Sequence, residues 1–187
     1  MTIESTLLIH DLSARMESAT AKVRQLKSID TEKLNFRKSA EAWSALECIE
    51  HLNLYGDFYL PEMEKQILSQ KKGTPSTVFK SGLLGNYFAN LMLIKNGKVK
   101  KMITLKDKNP IHADLNITTI DRFLKQQERL ISLLHQAKDI NLTRTKSAIS
   151  LSKYIRLRLG DTFRFVIYHI ERHVAQAERS VEAVTAD

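Results

Sequence analysis

Apolar residues recur every three or four positions in four stretches of the chain, which is the spacing of amphipathic helices. The first stretch spans residues 8–29 and the second spans 44–70. The third begins near Thr118, and the fourth follows Asp161, a residue type that favours the N-cap of a helix. Four long helices with a long connection between the second and third predict an all-α fold, a four-helix bundle.

The second helix has the clearest start signal in the sequence. Ser44 and Glu47 form the pattern S-x-x-E, a capping box in which each side chain bonds a backbone N–H at the start of the helix. The pattern predicts that this helix begins directly after Ser44.

The connection between the second and third helices, residues 71–117, differs from the rest in composition. It holds two of the three prolines and four of the six glycines, which interrupt regular structure. We interpret it as a lysine-rich crossover connection with partial structure, namely a short helix around 85–95 and an extended segment at 98–105.

Length and composition predict a single globular domain spanning residues 1–187. The apolar fraction of 43% and the charged fraction of 27% are those of a soluble protein. The lone cysteine, Cys48, excludes an intrachain disulfide and any C-x-x-C motif. Neither a signal peptide nor an apolar run of about 18 residues is recognisable, so we expect a cytoplasmic protein without a membrane partner.

The net charge of +8 is concentrated in one segment. Residues 71–110 contain nine lysines and a single acid, Asp107, so the remainder of the chain is neutral. This segment is either a solvated loop or a lining that attracts an anionic substrate, such as a thiol bearing a carboxylate. Because there is no recognised DNA-binding motif and few aromatic residues lie among the lysines, a nucleic-acid partner is not expected.

Three of the six histidines stand out by their positions. His169 and His173 are about one helical turn apart, on the apolar face of the fourth helix, and His51 could face them from the second helix. A buried unpaired polar group costs on the order of 1–3 kcal/mol, so each imidazole there needs a hydrogen-bond partner or a metal. The spacing alone leaves both possibilities open. Ile170 excludes the pattern H-E-x-x-H, so no glutamate base accompanies the pair.

Two segments together resemble the motifs of a known superfamily. They are AWSALECIEHL at 42–52 and LGDTFRFVIYHIERHVAQAER at 159–179. Both resemble the DinB-like superfamily, which includes the YfiT-type metal-dependent hydrolases, and the resemblance covers essentially the whole chain. It implies a four-helix bundle that forms homodimers and binds a divalent metal, most often Zn²⁺ or Ni²⁺. Carried onto this sequence, the implied metal ligands are His51, His169 and His173.

Three neutral imidazoles leave one position of a tetrahedral metal open, as in catalytic zinc sites. A water bound there is acidified toward neutral pH, or a thiolate substrate coordinates directly. Members of the superfamily include thiol S-transferases that use low-molecular-weight thiols, so the resemblance implies a thiol S-transferase or a hydrolase acting on small molecules. No catalytic residue or general base is identified. The alternative is therefore a non-catalytic metal- or ligand-binding bundle with a stress-related role.

Two polar residues are candidates for orienting the ligands. Glu47 lies one turn before His51 and could orient it, although the capping box explains Glu47 equally well. Gln176 continues the stripe beyond His173 and could bond a ligand or the substrate, or it is simply a polar residue near the end of the helix.

Overall fold

The chain is mostly helical, with two small sheets. A computed structural model describes residues 1–70, 75–95 and 104–185, and helices, including short 3₁₀ turns, make up 65% of those described residues. The helices are α1 (Ser5–Leu26), α2 (Thr31–Leu34), α3 (Ala45–Leu68), α4 (Leu83–Met92), α5 (Thr118–Gln136) and α6 (Leu159–Thr185). The strands are β1 (Thr2–Glu4), β2 (Val78–Lys80), β3 (Lys146–Ile149) and β4 (Ser152–Arg158). The predicted helical class is confirmed, but the chain is not purely all-α.

Both sheets are two-stranded and antiparallel. Strand β1 pairs with β2, with Ile3 opposite Phe79, which ties the amino terminus to the segment that enters α4. Strands β3 and β4 form a hairpin with a register shift between Ala148 and Ile149. The helical periodicity did not indicate these strands because each of them is short. Their backbone hydrogen bonds also depend on a partner strand, which the local sequence does not reveal.

The four long helices surround the hydrophobic core. Helices α1 and α3 each contact both α5 and α6, while α4 packs against α6 and the β4 strand. Large apolar side chains fill the interior, with Tyr59, Phe123 and Phe163 at most 1% exposed. No helix in the described ranges is both long and apolar enough to cross a membrane.

The start of α3 agrees with the sequence. Ser44 Oγ accepts a hydrogen bond from the Glu47 N–H, and the Glu47 carboxylate accepts one from the Ser44 N–H, so the predicted capping box is confirmed. Helix α3 then continues through Pro61 to Leu68. The predicted helix at 85–95 corresponds to α4, whereas most of the predicted extended segment at 98–105 lies outside the described residues.

The start of α6 corrects the sequence prediction. The helix begins at Leu159, so Asp161 lies inside its first turn and is not the N-cap. Its fully buried carboxylate instead accepts hydrogen bonds from Ser81 Oγ, from the Gly82 N–H at 2.8 Å and from Arg164 at 3.0 Å. Asp161 therefore fastens the segment before α4 to α6, a long-range role that local sequence patterns do not reveal.

Candidate metal centre

Helices α3 and α6 bring the three predicted histidines together. His51 projects from α3, and His169 and His173 project from successive turns of α6. One ring nitrogen from each lies within 4.8 Å of the others, and His51 Nε2 is 3.2 Å from His169 Nε2. The side chains are 2%, 6% and 8% exposed in that chain order. Within the described residues, this is the one cluster of three or more potential metal ligands.

Hydrogen bonds to carbonyl oxygens fix the orientation of two of the rings. His51 Nδ1 lies 2.6 Å from the Lys108 carbonyl oxygen, and His173 Nδ1 lies 3.0 Å from Gln176 Oε1. Because both oxygens can only accept, each Nδ1 carries the proton and donates. The lone pair of each neutral ring is then on Nε2, which is the nitrogen available to a metal.

Two aromatic side chains each contact two of the clustered imidazoles. The Trp43 ring centroid lies 4.6 Å from that of His51 and 5.7 Å from that of His173. On another side, the Tyr55 ring lies 4.9 Å from His51 and 4.7 Å from His169. These rings limit the access of water to the imidazoles, which strengthens electrostatic interactions within the cluster.

Burial keeps all three imidazoles neutral at pH 7. Desolvation lowers the pKa of His51 to about 4, against the opposing effect of its hydrogen bond to the Lys108 carbonyl. Desolvation, reinforced by the neighbouring histidines and Arg172, holds the pKa values of His169 and His173 well below 6.5. A neutral imidazole is the form that binds a metal, so the local environment favours the ligating state.

Glu47 influences the cluster through the loop that covers it. Its fully buried carboxylate accepts two hydrogen bonds from Arg37, at 2.8 and 2.9 Å, and others from the Ser44 and His112 N–H groups. His112, which has a positive φ of 65°, lies four residues after Lys108. Glu47 thus holds the chain near the carbonyl that orients His51, whereas Gln176 is bonded to His173 itself.

The sequence did not indicate two contributors to the cluster. The Lys108 carbonyl is a backbone group at the end of a 3₁₀ turn, Lys106–Lys108, so no side-chain motif signals it. The sequence shows Trp43 only as a large aromatic residue beside the capping box, which does not indicate contact with the histidines. Its Nε1–H donates a hydrogen bond to Asn109 Oδ1, one residue after Lys108. The lysine-rich connection therefore supplies a backbone acceptor, and its residues 71–74 and 96–103 lie outside the described part of the chain.

Cys48 and the other three histidines do not belong to the histidine cluster. Cys48 is fully buried, and desolvation raises the pKa of its thiol, which keeps it protonated. His10, His112 and His135 are exposed.

Comparison with known proteins identifies the family. A family model described as the DinB superfamily matches residues 15–177, which is most of the chain and includes all three clustered histidines. No curated protein and no solved structure shows significant similarity to the chain.

Proposed function

The chain belongs to the DinB superfamily, and from this premise and the clustered histidines we propose that it is a metal-dependent enzyme acting on small molecules. The observation that carries the proposal is the meeting of three buried, neutral imidazoles from α3 and α6. The metal we propose is Zn²⁺ or Ni²⁺, both of which accept imidazole nitrogen. The reaction we propose is thiol S-transfer or hydrolysis.

The residues present fit a divalent cation. With Nδ1–H donated to Lys108, His51 presents only a lone pair at Nε2, and His169 Nε2 lies 3.2 Å away. Two lone pairs at that distance repel unless a proton or a cation lies between them. The nitrogens of neighbouring ligands on a tetrahedral zinc are about 3.3 Å apart, given bonds of about 2.0–2.1 Å. The spacing of His51 and His169 therefore suits a shared metal.

Each side chain has a definable task in this proposal. His51, His169 and His173 would hold the metal, the Lys108 carbonyl and Gln176 would keep the Nδ1 protons in place, and Trp43 and Tyr55 would exclude water. Burial raises the pKa of Tyr55 to about 12, so its hydroxyl stays protonated at neutral pH. When bound, the metal would supply Lewis acidity toward a water or a thiol. The scaffold we infer is a four-helix bundle of α1, α3, α5 and α6, supported by their mutual contacts.

Activity measurements on metal-loaded protein test the proposal. The protein would be incubated with low-molecular-weight thiols plus electrophiles and, separately, with ester and amide substrates. We expect turnover that His51→Ala abolishes and that His135→Ala, which changes an exposed histidine, leaves intact. Metal binding without any turnover would favour a non-catalytic metal-binding protein, and turnover that survives His51→Ala would reject the site.

A further inference from the structure

Helix α4 presents apolar side chains to solvent. Its sequence, LLGNYFANLM, contains no charged residue. Gly85, Ala89 and Met92 are buried where α4 packs on the protein, but Leu83 is 96% exposed and Leu84 is 55% exposed. Tyr87 adds a further ring that is 59% exposed. A cluster of exposed apolar side chains on one short helix is typical of an interaction surface.

The surroundings of these side chains are basic. The segments 75–95 and 140–160 contain no aspartate or glutamate. They carry seven basic residues: Lys80, Lys95, Arg144, Lys146, Lys153, Arg156 and Arg158. Four carboxylates border them: Glu4 on β1 opposite Val78, Glu62, which is 3.8 Å from Arg156, and Asp139 and Asp161, which adjoin the two ends of 140–160. The buried Asp161 is paired with Arg164, so the basic charge of this region exceeds its acidic charge.

The apolar helix and the basic hairpin form one continuous surface, which we call the basic–apolar face. The Arg158 guanidinium donates to the Lys80 carbonyl and lies beside Gly82, the residue before Leu83. Along β4, alternate residues point to the same side. The exposed Arg156 therefore shares the side of Arg158, and Tyr154, which is 96% exposed, lies next to it where the pairing register of β4 shifts. Basic and apolar groups thus lie side by side across the hairpin and the start of α4.

We propose that the basic–apolar face docks onto an anionic phospholipid surface. Apolar side chains enter the boundary between headgroups and acyl chains, while lysine and arginine attract the negative lipids. Nucleic acid would engage the basic groups but offers little to the exposed Leu83 and Leu84. A second copy of the chain would bring Lys80 and Arg158 toward their own equivalents, which repel. The sequence predicted no membrane partner because hydropathy detects only segments that span a membrane. Binding to a membrane surface does not require a spanning segment.

Vesicle sedimentation of the full chain tests this proposal without depending on the metal centre. The probes are vesicles of phosphatidylcholine alone and of phosphatidylcholine mixed with phosphatidylglycerol. We expect binding to the mixed vesicles to be at least about tenfold tighter and to weaken at high salt. The double variant Leu83→Asp, Leu84→Asp should bind about tenfold more weakly. The matched control Leu7→Asp, Leu68→Asp changes leucines that are 56% and 72% exposed elsewhere and should bind like the parent.

Several results would overturn the proposal. One is no preference for the mixed vesicles, and another is equal weakening by both double variants. If duplex DNA binds more tightly than the mixed vesicles and ignores the change at Leu83 and Leu84, the surface serves nucleic acid. If light scattering shows a dimer that Leu83→Asp, Leu84→Asp converts to a monomer, the face is a self-association surface.

Discussion

Replacing Glu47 with alanine removes a buried carboxylate on which several elements depend. Its oxygens accept hydrogen bonds from Arg37, from the Ser44 N–H at the start of α3 and from the His112 N–H in the covering loop. The carboxylate is inaccessible to solvent, whereas the Arg37 side chain remains 28% exposed. In Glu47→Ala, Arg37 regains water, but the Ser44 N–H is left buried without this acceptor.

The expected loss of stability follows from these contacts. Removing one partner of a buried ion pair destabilises a protein by about 3–5 kcal/mol. Because Arg37 is partly exposed, the lower end of this range applies. We therefore expect Glu47→Ala to lower the free energy of unfolding by about 3 kcal/mol. The control is Glu64→Ala on the same helix, where the ion pair with Arg129 is exposed and is worth at most about 1 kcal/mol.

Urea unfolding followed by circular dichroism measures both variants. The pH dependence adds a second check. Burial raises the pKa of Glu47, but its hydrogen bonds from Arg37, Ser44 and His112 outweigh this and lower the pKa overall. The stabilisation is therefore complete above the unfolded pKa of about 4.3 and is lost as pH falls through the folded value. Equal losses in both variants, or a parent–variant difference that grows below that pH, would refute the reasoning.

Three further outcomes are expected. Gln176→Leu removes the acceptor for His173 Nδ1, so the affinity for Zn²⁺ should fall about 10–100-fold in equilibrium dialysis while helix content is unchanged. Gly85→Ala should lower the melting temperature more than Gly56→Ala. At position 85 the new Cβ would lie 2.5 Å from the Cβ of Asp161, which is held by its hydrogen bonds, whereas at position 56 it would meet the flexible amide end of Gln126. Chelator treatment should lower the melting temperature of metal-loaded protein, and added Zn²⁺ should restore it. At a free Zn²⁺ concentration of 100 times Kd, metal binding should raise the free energy of unfolding by about 2.7 kcal/mol.

Local patterns predicted the parts of the fold that depend on local chemistry. The Ser44–Glu47 capping box and the helical spacing of His169 and His173 are properties of a few successive residues, so the sequence sufficed for them. Asp161 was misassigned as an N-cap because its partner Ser81 is 80 residues away. The Lys108 carbonyl was missed because backbone groups leave no mark in a motif.

The basic charge was likewise only partly understood from the sequence. Counting lysines located the net charge in residues 71–110, yet the β3–β4 hairpin also lacks acids and lies against α4. A count along the chain cannot bring together segments about 60 residues apart, whereas packing does.

The stoichiometry of bound metal tests the central claim most directly. Purified protein would be dialysed against Zn²⁺ or Ni²⁺ and its metal content measured by mass spectrometry, with His169→Ala and the exposed-site control His10→Ala in parallel. The account predicts about one ion per chain in the parent and in His10→Ala, and almost none in His169→Ala, with all three proteins folded. A parent that takes up neither metal, or a His169→Ala variant that retains a full equivalent, would contradict it.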